Sequence, residues 1–131
     1  VLWMHGDITI ERGAAVSVKK MVKDGSKWLQ EGLSVIIFPE GTRSKDGSVG
    51  RFKEGAVMLA KYAGADILPC ASSGTDTSFS GWQLNMKNRF RMRVMEPISA
   101  ENVQQADAKE LTARLQEMVS EARKELQHRD T

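Results

Sequence analysis

An α/β layered domain, with a mixed, largely parallel central sheet flanked by helices, is the fold this sequence predicts. Three observations carry that expectation. Residues 14–31 repeat apolar side chains at helical spacing, Leu33–Phe38 is a nearly continuous apolar run, and a second helical pattern spans Phe52–Ala63. Helix, buried strand and helix in succession are the units from which such layers are built. A chain of 131 residues is long enough for one domain with a modest core.

The elements follow in order. Ile8–Ile10 is short and alternating, a candidate strand leading into Glu11-Arg12-Gly13. In the helix of 14–31, Val18, Met21, Val22, Trp28 and Leu29 share a face; Gly25 leaves room there for close packing, and Gly32 is a C-terminal stop. Leu33–Phe38 is rich in β-branched residues and reads as a strand covered on both faces. Pro39–Gly50 is a loop with several turn formers. In the next helix Phe52, Ala56, Leu59 and Ala63 line one face and Gly64 is the cap. Asp66–Ser73 reads as a further strand, and Gly74–Lys87 is polar and irregular apart from Trp82.

Arg89–Met95 alternates strictly, placing Phe90, Met92 and Val94 opposite Arg89, Arg91 and Arg93. The last helix, 108–127, is apolar at Leu111, Leu115, Met118, Val119, Ala122 and Leu126. Asp107 and Glu110 stand at the spacing of an N-cap and its third helical residue.

Composition narrows the classes of function. A hydrophobic fraction of 40% with 27% charged residues belongs to a folded globular chain, and a net charge of +2 makes no case for nucleic acid. The single cysteine, Cys70, rules out an internal disulfide, fits a reducing compartment, and is expected to be a buried structural thiol rather than a metal ligand. No apolar run approaches the roughly 18 residues of a spanning helix. Gly50 to Gly55 has the glycine spacing of a phosphate-binding P-loop, but Ala56-Val57 stands where Lys-Ser/Thr is required, so no nucleotide site is expected. The stripe of Lys87, Arg89, Arg91 and Arg93 admits an edge strand protected from aggregation, attraction to anionic lipid headgroups, or, as the weakest reading, RNA, since Phe90 and Met92 face the other way and give no stacking platform.

Chemistry concentrates in the loop after the buried strand, Phe38-Pro39-Glu40-Gly41-Thr42-Arg43-Ser44. Ligands of open α/β sheets bind beyond the carboxyl ends of strands, where this loop is expected. Gly41 allows close backbone approach, Arg43 offers a planar fork of donors suited to phosphate, and Thr42 and Ser44 add hydroxyls. Glu40, beside an apolar strand, needs a hydrogen-bonded or charged partner, for which Arg43 and Arg12 are candidates. Taken from composition alone, a polar turn with an ion pair is the favoured reading.

Those seven residues resemble the FPEGTRS block of the glycerolipid acyltransferase family over every position. Further segments fall in that family's order. Gly6-Asp7-Ile8-Thr9-Ile10-Glu11-Arg12 is similar to the block ending in a substrate-phosphate arginine, with Glu11 where Asp is common. Phe52-Lys53-Glu54-Gly55-Ala56 resembles the helix start that follows, and Ile67-Leu68-Pro69 the later block built around proline. The resemblance implies transfer of an acyl group from a thioester, acyl-CoA or acyl carrier protein, to the free hydroxyl of 1-acylglycerol 3-phosphate, giving phosphatidic acid. It requires no metal or resident cofactor. By position it assigns Arg12, Glu40, Gly41, Thr42 and Arg43 to the acceptor's phosphate site.

The family's base is a histidine in a His-x-x-x-x-Asp motif, the aspartate orienting the imidazole. Neither histidine here fits: His5 is followed four and five residues on by Thr9 and Ile10, and His128 lies near the chain end. The catalytic pair is therefore expected upstream of Val1, and residues 1–131 form a single, N-terminally truncated acyltransferase domain without its base. A soluble piece of an enzyme working at the cytoplasmic face of a membrane follows from that expectation, with oligomeric state left open. The alternatives are an acyltransferase for glycerol 3-phosphate or another lysophospholipid, and a non-catalytic phospholipid-binding module.

Overall fold

Helix α1 (Ala15–Gln30) forms where the apolar spacing is helical, burying Met21 and half-burying Val22, Trp28 and Leu29. The computed structural model describes residues 15–40, 49–74, 79–80, 83–84 and 89–129. The expected Gly32 stop is present: its φ is +82°, and Leu33 N–H donates to the Trp28 carbonyl at 3.0 Å. Helix α2 (Gly55–Ala63) ends the same way, with Gly64 at φ +64° and Ala65 N–H donating to the Ala60 carbonyl at 3.0 Å. The two helices pack closely because Gly55 has no side chain; a Cβ there would lie 3.0 Å from Met21 Cε.

Strand β1 (Cys70–Ser73) and strand β4 (Arg91–Val94) pair antiparallel, Cys70 opposite Val94 and Ser73 opposite Arg91. Beyond them Met95 N–H donates to the Pro69 carbonyl, and Ile67 and Ile98 exchange hydrogen bonds of 2.9 and 2.8 Å. Between the Cys70–Val94 and Ile67–Ile98 pairs, β4's side carries one more residue than β1's, a bulge at the point where Pro97 has no N–H to donate. Strands β2 (Phe79–Ser80) and β3 (Gln83–Leu84) form a second short antiparallel pair.

Helix α3 (Ala100–Gln105) follows, started by Ser99, whose Oγ accepts from Asn102 N–H, and by Asp66, whose Oδ1 accepts from Ala100 N–H at 2.6 Å. Helix α4 (Ala108–His128) begins at Asp107, whose Oδ1 accepts from the N–H groups of Lys109 and Glu110 at 3.0 and 3.1 Å. Its apolar stripe joins the elements. Leu111 and Leu115 meet Phe52, Val57, Ala60 and Val103, while Ala122 and Leu126 close over Ala71. Val57 and Val103 are the largest fully buried side chains, 1% and 0% exposed.

Several expectations need correction. Among the described residues the ladders are antiparallel, so a largely parallel sheet is not seen there. Leu33–Phe38 forms no strand with any described residue, and it is far from covered: Ile36 and Phe38 are each 84% exposed. An apolar run specifies that a chain segment seeks neighbours; it does not supply them, and no described strand lies beside this one. Phe90, Met92 and Val94 are likewise exposed, whereas Arg93 turns toward α4 and pairs with Glu125. The basic residues of that strand thus lie on the helix side and its apolar face is bare.

Cys70 is exposed rather than buried, because the strand alternation that buries Ala71 and Ser73 against α4 turns Cys70 outward. The helix predicted from Phe52 starts at Gly55, since the Phe52 and Lys53 N–H groups go to tertiary partners. The strand expected at Asp66–Ser73 is regular only at Cys70–Ser73, and Gly74–Lys87, expected to be irregular, contains β2 and β3. Helix α3 was not anticipated. Ile8–Ile10, Trp82 and Lys87 lie outside the described residues.

Candidate functional site at the base of the Pro39–Gly50 loop

The extended segment that leaves α1 runs to Pro39 and Glu40, and the chain returns at Val49 and Gly50 toward α2. Three hydrogen bonds join these two passes to each other and to α4. Lys53 N–H donates to the Pro39 carbonyl at 2.9 Å. Gly50 N–H donates to Glu40 Oε2 at 2.7 Å. Phe52 N–H donates to Gln116 Oε1 at 3.0 Å, and Phe52 itself is buried in the core cluster. Glu40, Gly50 and Phe52 are thus fixed on the same packing that builds the core.

Glu40 is half-buried, so its carboxylate needs a donor. The sequence suggested an arginine; among the described residues the donor is the Gly50 amide. A Cβ on Gly50 would stand 3.0 Å from Oε2, so a larger residue there would require the Glu40 carboxylate to shift by a few tenths of an ångström. Of the other assigned residues, Arg12, Gly41, Thr42 and Arg43 lie outside the described residues, as does His5. His128 ends α4 and is exposed.

Sequence reasoning missed Gly50, Gln116 and the Lys53 amide as parts of this base. Gly50 carried a usable signal, a glycine at the far end of a loop opened by a buried acid. Gln116 carried none, being 64 residues from its partner. Beside the base lies a cleft of about 190 Å³ between Val35 and Ile37 on one side and Val57, Ile67 and Leu115 on the other. Its walls are mostly apolar, with Lys53, Asp66 and Thr112 among the polar exceptions. No three His, Cys, Asp or Glu side chains gather to hold a metal among the described residues. No helix there is long and apolar enough to cross a membrane.

The family model described as Acyltransferase matches residues 1–73, more than half of the chain. The chain belongs to the Acyltransferase family. Among its relatives, the 1-acyl-sn-glycerol-3-phosphate acyltransferase LPAT1, chloroplastic, of Arabidopsis thaliana is 35% identical over 92 residues, covering 70% of this chain and 26% of the relative. The 1-acyl-sn-glycerol-3-phosphate acyltransferase alpha of Homo sapiens is 33% identical over 121 residues, 86% of this chain and 41% of that protein. The crystal structure of the 1-acyl-sn-glycerophosphate acyltransferase PlsC from Thermotoga maritima superposes with a TM-score of 0.69 at 27% identity. That match covers 81% of this acyltransferase chain and 44% of the other. The chain therefore spans less than half the length of the proteins it matches.

Proposed function

We propose that the polypeptide to which this acyltransferase chain belongs acylates 1-acylglycerol 3-phosphate to phosphatidic acid in phospholipid biosynthesis. The observation that carries the reading is the Phe38–Ser44 block, intact within a chain whose relatives carry the name of this activity. In the reaction the acceptor hydroxyl oxygen attacks the thioester carbonyl carbon and gives its proton to a histidine. The carbon–sulfur bond then breaks, and the proton goes to the departing thiolate. We place that histidine and its orienting aspartate elsewhere in the polypeptide, because the residue five positions after His5 is Ile10.

Within this chain, Arg12 and Arg43 hold the acceptor's phosphate. Gly41 leaves the space, Thr42 adds a hydroxyl, and Glu40 completes the site. Their contribution is to position: a bound phosphate holds the free hydroxyl near the base, turning a bimolecular encounter into a unimolecular step. The donor is acyl-CoA or acyl carrier protein, and the acceptor is met at the cytoplasmic surface of a membrane. We also assign Leu33–Phe38 to a largely parallel sheet in the longer polypeptide, whose further strands cover Ile36 and Phe38.

The encoded polypeptide, assayed with lysophosphatidate and with glycerol 3-phosphate against both thioester donors, tests the reading. Phosphatidic acid from lysophosphatidate, with glycerol 3-phosphate left unacylated, is the expected outcome. Preference for glycerol 3-phosphate would reassign the acceptor.

A further inference from the structure

We infer that Glu40 is a positioning residue that acts through the Gly50 amide, clasping the two ends of the arginine-bearing loop rather than touching the acceptor. The inference rests on the phosphate-site reading and specifies how one member of that site works. Its first support is geometric. The 2.7 Å bond from Gly50 N–H to Glu40 Oε2 closes across the loop, and the Lys53 N–H bond to the Pro39 carbonyl lies next to it. Two adjacent rungs fix where the chain leaves for Gly41–Arg43 and where it comes back.

The second support is chemical. A carboxylate only accepts hydrogen bonds, and so does a phosphate dianion, so the two cannot bond directly and repel when close. A carboxylate in a phosphate site is therefore best spent on a backbone donor. A backbone N–H bonded to a carboxylate also makes one of the stronger classes of hydrogen bond. The third support is the glycine itself. Any side chain at position 50 would press on Oε2 at 3.0 Å, so residue 50 and Glu40 are matched in shape as well as in polarity.

The role separates from a catalytic one by conservative rescue. Glu40→Gln keeps an oxygen at the same reach and so keeps the clasp, whereas Glu40→Ala removes it. In the encoded polypeptide, Glu40→Ala is expected to speed hydrogen exchange at the Gly50 amide about tenfold or more and to raise the lysophosphatidate KM about tenfold. Its kcat stays within about threefold of wild type. Glu40→Gln stays within about threefold on all three readouts. Gly50→Ala raises KM in the wild-type background and adds nothing in the Glu40→Ala background, because the two changes break one contact.

Different results overturn the inference. An unchanged Gly50 exchange rate in Glu40→Ala removes the clasp. If Glu40→Gln loses kcat as fully as Glu40→Ala while Gly50 stays protected, the charge itself is used in the reaction. A faster Gly50 amide with unaltered acceptor KM in Glu40→Ala, while Arg43→Ala still raises KM, ends the positioning role and leaves the proposed function standing. Loss of effect in Arg43→Ala as well removes the phosphate-site reading itself and the positioning role with it. Should Glu40→Ala fail to fold, the Glu40→Gln and Gly50→Ala pair gives the same decision.

Discussion

Glu40 and Gly50, ten positions apart, are held together by a 2.7 Å hydrogen bond from backbone to carboxylate, and the helix α4 side chain Gln116 holds Phe52 two residues further on. The loop base is therefore tied to the C-terminal helix as well as to its own flanks. That tie joins α4, beyond the family-matched residues 1–73, to the described base of the loop.

Gln116 offers a direct check of this tie. Replacing Gln116 by Leu keeps bulk but leaves the part-buried Phe52 N–H without its acceptor, which costs about 1–3 kcal/mol. Gln116→Glu keeps an acceptor and is expected to cost less than half as much. Urea unfolding of this chain with the two variants measures the difference. Equal stability of Gln116→Leu and wild type would show that the bond contributes nothing.

Asp107 is the second. Its Oδ1 accepts from both Lys109 and Glu110 N–H groups at the start of α4. Asp107→Ala should destabilise the chain by about 0.5–2 kcal/mol, and Asp107→Asn should retain most of the cap. The unfolding midpoint of each variant, at unchanged denaturant dependence, is the readout.

What the sequence made legible follows from range. The ends of α1 and α2 were readable because Gly32 and Gly64 act within one turn, and α4 because Asp107 and a heptad-like apolar stripe are local signals. Partners set by long-range packing were not. The glycine at the far end of the loop is the single local sign of Glu40's donor, and nothing near Phe52 points to Gln116. Helix α3 escaped because it is short and its second cap, Asp66, comes from 34 residues away. The reading of Leu33–Phe38 as doubly covered took an apolar run for proof of neighbours, which a sequence pattern cannot give.

That last difference yields a prediction about context. Ile36 is 84% exposed, so Ile36→Asp in this chain should change stability by no more than about 0.5 kcal/mol. Val57, 1% exposed, is the control: Val57→Asp buries an unpaired charge and should abolish cooperative unfolding. In the longer encoded polypeptide Ile36→Asp should become severely destabilising, because the proposed sheet covers that position. Thermal unfolding of both lengths decides it. Tolerance of Ile36→Asp at both lengths would remove the proposed covering strands.

Arg43 carries the most specific consequence for activity. A guanidinium that grips phosphate through two parallel N–H bonds contributes through charge and geometry together. Loss of a charge-assisted bond of about 1.5–3 kcal/mol should lower kcat/KM for lysophosphatidate by about 10- to 150-fold in Arg43→Ala. Arg43→Lys should recover only part of it, since an ammonium restores the charge without the fork. An arginine that merely pairs with a neighbouring carboxylate predicts another pattern: a lower Tm for Arg43→Ala, with unchanged acceptor saturation in the enzyme that remains folded. Titrating lysophosphatidate at fixed acyl donor, with Tm measured on the same preparations, separates the two. Unaltered kcat and KM in a folded Arg43→Ala enzyme would take the phosphate away from this loop, and the choice of a phosphorylated acceptor would lose its main chemical support.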